Sequence, residues 1–136
     1  MSRLLGILYR EDEKMMATIV IDRKTLTINH LYGQRGFRKF IKKEGKELRE
    51  YIKKCVKAQF EGLIFEDKLS VTIRICEDWL TKKGEVKRKD LDNRCKFLLD
   101  SIFSALNIDD KYVYELKMCK VQSDKEKAIV IIEAIQ

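Results

Sequence analysis

Lys68-Leu69-Ser70-Val71-Thr72-Ile73-Arg74-Ile75-Cys76 alternates without a break. Leu69, Val71, Ile73 and Ile75 fall on one side of an extended chain, and Ser70, Thr72, Arg74 and Cys76 on the other, because successive side chains of a strand point to opposite faces. The pattern predicts a half-buried strand. Downstream the period changes. Over residues 92–106, Cys95, Leu98, Leu99, Ile102, Phe103 and Leu106 recur at three- and four-residue steps, which is the buried stripe of an amphipathic helix. Asp92 is a candidate N-cap for it, and Asn107 can close it in a left-handed conformation. Two more strands are expected near 112–121 and 127–135. The second, Ala128 to Ile135, is nearly continuous in apolar residues and so predicts a place at the centre of a sheet.

Working outward toward the N-terminus, residues 17–22 (Ala-Thr-Ile-Val-Ile-Asp) read as a strand from their β-branched content, and 4–9 as a further one. Residues 44–60 predict a second helix, with Leu48, Tyr51, Ile52, Cys55, Val56 and Phe60 on one face and lysines on the other. Between them, 27–43 combines Gly33 and Gly36 with Arg35, Arg38, Lys39, Lys42 and Lys43, and predicts a long basic loop. The expected class is α/β: one domain over residues 1–136, with a mixed β-sheet of about four strands covered by two main helices. Residues 1–16 are a candidate N-terminal extension.

Composition narrows the function. No apolar run approaches the ~20 residues needed to span a bilayer. The first residues are too soon interrupted to make a signal peptide, so a cytoplasmic, non-membrane protein is expected. The net charge of +7 suits a polyanionic partner, although a lysine-rich protein without such a partner would look the same. Cys55, Cys76, Cys95 and Cys119 are dispersed and His30 is the single histidine, which argues against a zinc site and for buried thiols in a reducing compartment. No small-molecule cofactor is expected.

The chemistry-bearing residues lie where a basic turn, Lys82 to Lys89, runs into the 92–106 helix. Asp90 and Asp92 are two apart, so in an extended segment both carboxylates face the same way and can converge on one hard cation. Mg²⁺ or Mn²⁺ suits an all-oxygen site of this kind. A third carboxylate from Asp109-Asp110 would join if the following strand ran beside the one preceding the helix. Lys96, one helical turn beyond Asp92, would steady negative charge on a phosphate. Spacing alone leaves a plainer account open: Asp92 as a cap worth about 1 kcal/mol, Lys96 in i,i+4 pairs with Asp92 and Asp100, and Asp109 and Asp110 as turn formers.

Lys89-Asp90-Leu91-Asp92-Asn93-Arg94-Cys95-Lys96, followed by a helix and then Asn107-Ile108-Asp109-Asp110-Lys111-Tyr112-Val113, resembles the signature of the RusA family. More weakly, Asn29-His30-Leu31-Tyr32-Gly33 and Lys43-Glu44-Gly45 resemble the family's N-terminal loop and the start of its first helix. The similarity covers about residues 17–135. The family's early loop is usually proline-rich, whereas this chain has no proline. The resemblance implies a homodimeric, Mg²⁺- or Mn²⁺-dependent nuclease that nicks four-way DNA junctions symmetrically, in recombination and repair. It carries metal binding over to Asp90, Asp92 and Asp110, chooses Asp110 over Asp109, and makes Lys96 the essential lysine. Lys87, Arg88 and Lys89, with Arg35 and Lys42 from the basic loop, are the expected DNA contacts. The competing expectations are a non-catalytic basic nucleic-acid-binding protein, and a structural or subunit-interaction protein whose Asp-x-Asp is only a cap.

Overall fold

The computed structural model describes residues 4–11, 14–25, 32–35, 38–60, 68–89 and 91–135. The alternating stretch forms β5 (Leu69–Glu77), flanked in space by β6 (Val113–Gln122) and β7 (Lys127–Ala134). β7 also pairs with β2 (Lys14–Ile21), and β2 with β1 (Leu4–Glu11), giving the five-stranded order β1-β2-β7-β5-β6. β5 is antiparallel to β7 and parallel to β6, so the sheet is mixed as expected. β7 takes the central place that its apolar run implied. The candidate extension is built into this sheet: its residues form β1 and the start of β2, and Ala17, Ile19 and Ile21 of β2 are fully buried.

The registers explain the core. Ile19 faces Val130, which faces Ile73; Ala17 faces Ile132, which faces Val71. Ladder partners share a face, so these residues stack across three strands into one apolar surface. Two helices cover it: α1 (Lys43–Phe60) through Leu48, Ile52 and Val56, and α2 (Leu91–Leu106) through Cys95, Leu98, Ile102 and Leu106. α2 is buried more widely than the single stripe read from sequence, since Arg94, Phe97 and Ser101 are buried too. α1 packs along that second side, and Arg49 of α1 lies 5.1 Å from the Phe97 ring centroid.

Two expectations need correction. Within the stretch read as a basic loop, β3 (Tyr32–Arg35) and β4 (Arg38–Ile41) form a separate two-stranded antiparallel ribbon. α2 begins at Leu91, one residue earlier than expected, so Asp92 lies inside the first turn rather than at the cap. There it acts on the positive end of the helix dipole. The C-terminal expectation holds. Asn107 has φ 57°, its N–H donates to Ser104 O at 3.2 Å, and the Ile108 N–H donates to Phe103 O at 3.0 Å. This is a Schellman closure, with Ile108 packed against the core.

Candidate functional site

β5, α2 and β6 make a β-α-β unit, so the end of β5, the start of α2 and the end of β6 lie at one edge of the sheet. The carboxyl ends of parallel strands are where open α/β sheets form their crevices. The connection from β5 to α2 is a tight hairpin. Leu80 bridges Val86, the Lys87 N–H donates to Trp79 O at 2.8 Å, and the Thr81 N–H donates to Glu85 O at 2.7 Å. Gly84, with φ 82°, turns the chain at its tip. Gln122 at the end of β6 ties the hairpin down: its Oε1 accepts the Trp79 N–H at 2.9 Å and its Nε2 donates to Asp78 Oδ1 at 2.9 Å. That bond, then the Leu80 N–H and the nearby Lys87 and Lys89, hold the Asp78 carboxyl below its ordinary range.

Asp92 is exposed in the first turn of α2. Lys96, one turn on, is also exposed and forms no ion pair or hydrogen bond with the described residues. Among the described residues the plain i,i+4 pairing of Lys96 with Asp92 or Asp100 does not occur, and the Lys96 ammonium stands exposed beside an acidic turn. Asp90 lies outside the described residues. Cys95, the nearest thiol, points into the core at 1% exposure. Burial, with the neighbouring Asp92 and Cys119, pushes it up to about 12, so it stays a neutral thiol.

Asp109 and Asp110 part company. The Asp109 carboxylate accepts the Lys111 N–H at 2.9 Å and caps the single 3₁₀ turn Asp110–Tyr112. Asp110 is exposed and makes no such bond to the described residues. The strand after it does run beside β5, as the third-carboxylate expectation required. Yet α2 runs against both strands. Asp92 sits at one end of it and Asp110 beyond the other, roughly 20 Å apart at about 1.5 Å per helical residue. One chain does not bring them together, and no cluster of three or more His, Cys, Asp or Glu exists among the described residues.

The basic residues also divide. Arg88 is exposed, as are Lys82 and Lys83 on the hairpin. Lys87 is partly engaged: its Nζ donates to Asp78 O at 3.1 Å and lies 3.9 Å from Asp78 Oδ2. The Lys89 Nζ donates to Glu77 Oε2 at 3.0 Å. Lys42 is half-buried just before α1, where its carbonyl accepts the Lys46 N–H. Arg35 lies in β3, opposite Arg38. Arg94, inside the motif, is 3% exposed and ion-paired with Glu77. Glu77 had no sequence signal: a glutamate closing a strand looks like a solvated end.

The model of the family described as endodeoxyribonuclease RusA matches residues 23–133, most of the chain. The chain belongs to the RusA endodeoxyribonuclease family. The match runs from Arg23, just after β2, to Glu133, one residue short of the end of β7, and leaves β1 and β2 outside it. No match is found among curated proteins. RusA membership implies a Holliday junction resolvase endonuclease, acting on branched DNA. No helix among the described residues of this RusA-family chain is long and apolar enough to cross a membrane.

Proposed function

We propose that this RusA-family chain is a Mg²⁺- or Mn²⁺-dependent resolvase that nicks four-way junctions symmetrically as a homodimer, in cytoplasmic DNA recombination and repair. The observation that carries the reading is the placing of an exposed Asp92 and, one turn on, an exposed Lys96 that pairs with none of the described residues, at the carboxyl edge of the β5–β6 pair. Asp92, its motif neighbour Asp90, and Asp110 are all hard oxygen donors, and the adjacent Cys95 is withdrawn as a neutral thiol. That donor set fits a hard divalent cation rather than zinc. When bound, such a cation supplies Lewis-acid activation of water and charge neutralisation at the scissile phosphate. Lys96 stabilises charge developing on that phosphate. Arg88, Lys82 and Lys83, with a contribution from Lys87, hold the DNA backbone.

Support for a homodimer comes from β6. β6 is the outer strand on its side of the sheet. Leu116 and Met118 on it are 46% and 37% exposed, although their ladder partners Val71 and Ile73 are fully buried. A strand edge that no described residue pairs with, carrying exposed apolar residues, suits pairing with a second copy. Two β6 edges set antiparallel about a twofold axis would place the start of one strand, with its Asp110, at the end of the other, beside Asp92. A four-way junction has two equivalent strands to cut, which matches two such sites.

The test is cleavage of a synthetic four-way junction and a linear duplex, without metal and with Mg²⁺ or Mn²⁺. The expected result is paired, symmetric nicks in the junction alone and only with metal. Asp92→Asn is expected to abolish nicking and keep junction binding. Salt-dependent binding with no nicks in either metal would instead support a non-catalytic DNA-binding protein.

A further inference from the structure

We propose that Glu77 is a positioning residue for the nuclease site, holding the acidic segment from both of its ends. The inference rests on the endonuclease reading above. Glu77 closes β5, is 2% exposed, and its carbonyl accepts the Ser123 N–H at 2.9 Å, so its backbone is fixed at the sheet's edge. Its carboxylate has two partners. Oε2 accepts from Lys89 Nζ at 3.0 Å, and Oε1 accepts from Arg94 Nη1. Lys89 is the residue before Asp90, and Arg94 follows Asn93. One buried carboxylate thus ties down both flanks of the Asp90–Asn93 segment.

Local forces do not explain this arrangement. Lys89 and Arg94 stand at the positive end of the α2 dipole, where cations are disfavoured. Burial also disfavours a charged guanidinium, and it draws Arg94 below its ordinary value. A buried ion pair is seldom more stabilising than apolar residues of the same size. What the pair supplies is geometry: two charge-assisted contacts from a rigid strand end, with Arg94 also 5.3 Å from the Trp79 ring centroid and held by Thr25 Oγ1 at 3.4 Å. The Trp79 indole N–H, bonded to Ile75 O at 3.0 Å, fixes that ring in turn. Ligating carboxylates need such supporting partners to hold their orientation before a cation arrives. Lys89 accordingly serves the mount and not the DNA backbone.

Glu77→Gln keeps the shape and removes the charge. Lys89→Met cuts one tether and leaves the buried pair, so it decides the matter if the first variant fails to fold. Each is compared with wild type for junction binding in EDTA, for Mn²⁺ binding without DNA (the free-ion EPR signal), and for nicking rate against metal concentration. Both variants are expected to bind the junction as wild type does, to need about tenfold more metal for binding and for half-maximal nicking, and to recover most of the rate at saturating metal. General destabilisation would lower binding and rate together and would not be relieved by metal. A folded variant with the wild-type metal requirement overturns the proposal. So does Lys89→Met losing junction affinity at an unchanged metal requirement, which would return Lys89 to the DNA contacts. The wild-type arm judges the endonuclease reading separately: if wild type neither binds Mn²⁺ nor nicks a junction, that reading falls and the positioning role falls with it.

Discussion

Lys96 and Arg94 are both cations in the first turns of α2, two residues apart, and the helix sends them to opposite fates. Arg94 turns inward to Glu77, while Lys96 is left exposed, without a partner among the described residues. Lys96→Ala is expected to slow single-turnover nicking by about 10²–10³-fold, the usual loss when a transition-state donor is removed. Lys96→Arg should restore only part of it, because a guanidinium fork does not replace a compact ammonium. An unchanged single-turnover rate for Lys96→Ala would remove Lys96 from the chemistry. Cys95 carries a pH prediction. Its thiol rises from an ordinary 9.0 to about 12 in the folded chain, chiefly through burial. The folded state therefore keeps a proton that the unfolded state releases first. The associated stability is complete below 9.0 and is lost as pH climbs toward about 12. Denaturant unfolding across that range should show the fall in wild type and a shallower one in Cys95→Ala. At neutral pH the native chain should leave Cys95 unalkylated.

At the scale of elements, α2 was legible because its signals are local: a helical period, acidic residues at its start and an asparagine that tolerates φ 57° at its end. Asn107→Gly is expected to hold or slightly raise stability, whereas Asn107→Val should lose about 1–2 kcal/mol by forcing a branched residue into the left-handed region, both read by urea denaturation. β5 and β7 were legible for the same reason, one from alternation and one from a continuous apolar run. The β3–β4 ribbon was not. Its strands are four residues each, in a glycine-broken basic stretch, and strand formation there depends on a partner rather than on the residues' own preference. Asp92 as a cap was a near miss of the same origin, since helix ends shift by a residue with little change in local pattern.

For the whole molecule, the separation of Asp92 from Asp110 along α2 yields the sharpest prediction. Asp92→Asn and Asp110→Asn subunits are each expected to be inactive as homodimers. Mixed dimers should nick, because a site shared between copies is left with one intact set, and they should cut one strand and not two. Mixed dimers as dead as their parents would sink the shared site. Added salt should weaken junction binding by wild type and by each variant to the same degree, since phosphate contacts by Arg88, Lys82 and Lys83 are untouched.

By itself the sequence determined the α/β class, the two helices, the central place of β7, the left-handed close of α2 and the acidic motif with Lys96 one turn on. All of these follow from periodicity or from neighbours within a turn or two, where covalent spacing dictates geometry. Only the tertiary structure decided that Asp109 is spent on a cap while Asp110 stays open, that Asp110 lies a helix-length from Asp92, and that Lys89 and Arg94 meet on Glu77. These depend on how α2 lies across the sheet and which strand ends it covers. Burial turns a glutamate at the end of a strand into a mount for the site, and burial is a property of packing that no stretch of residues carries alone.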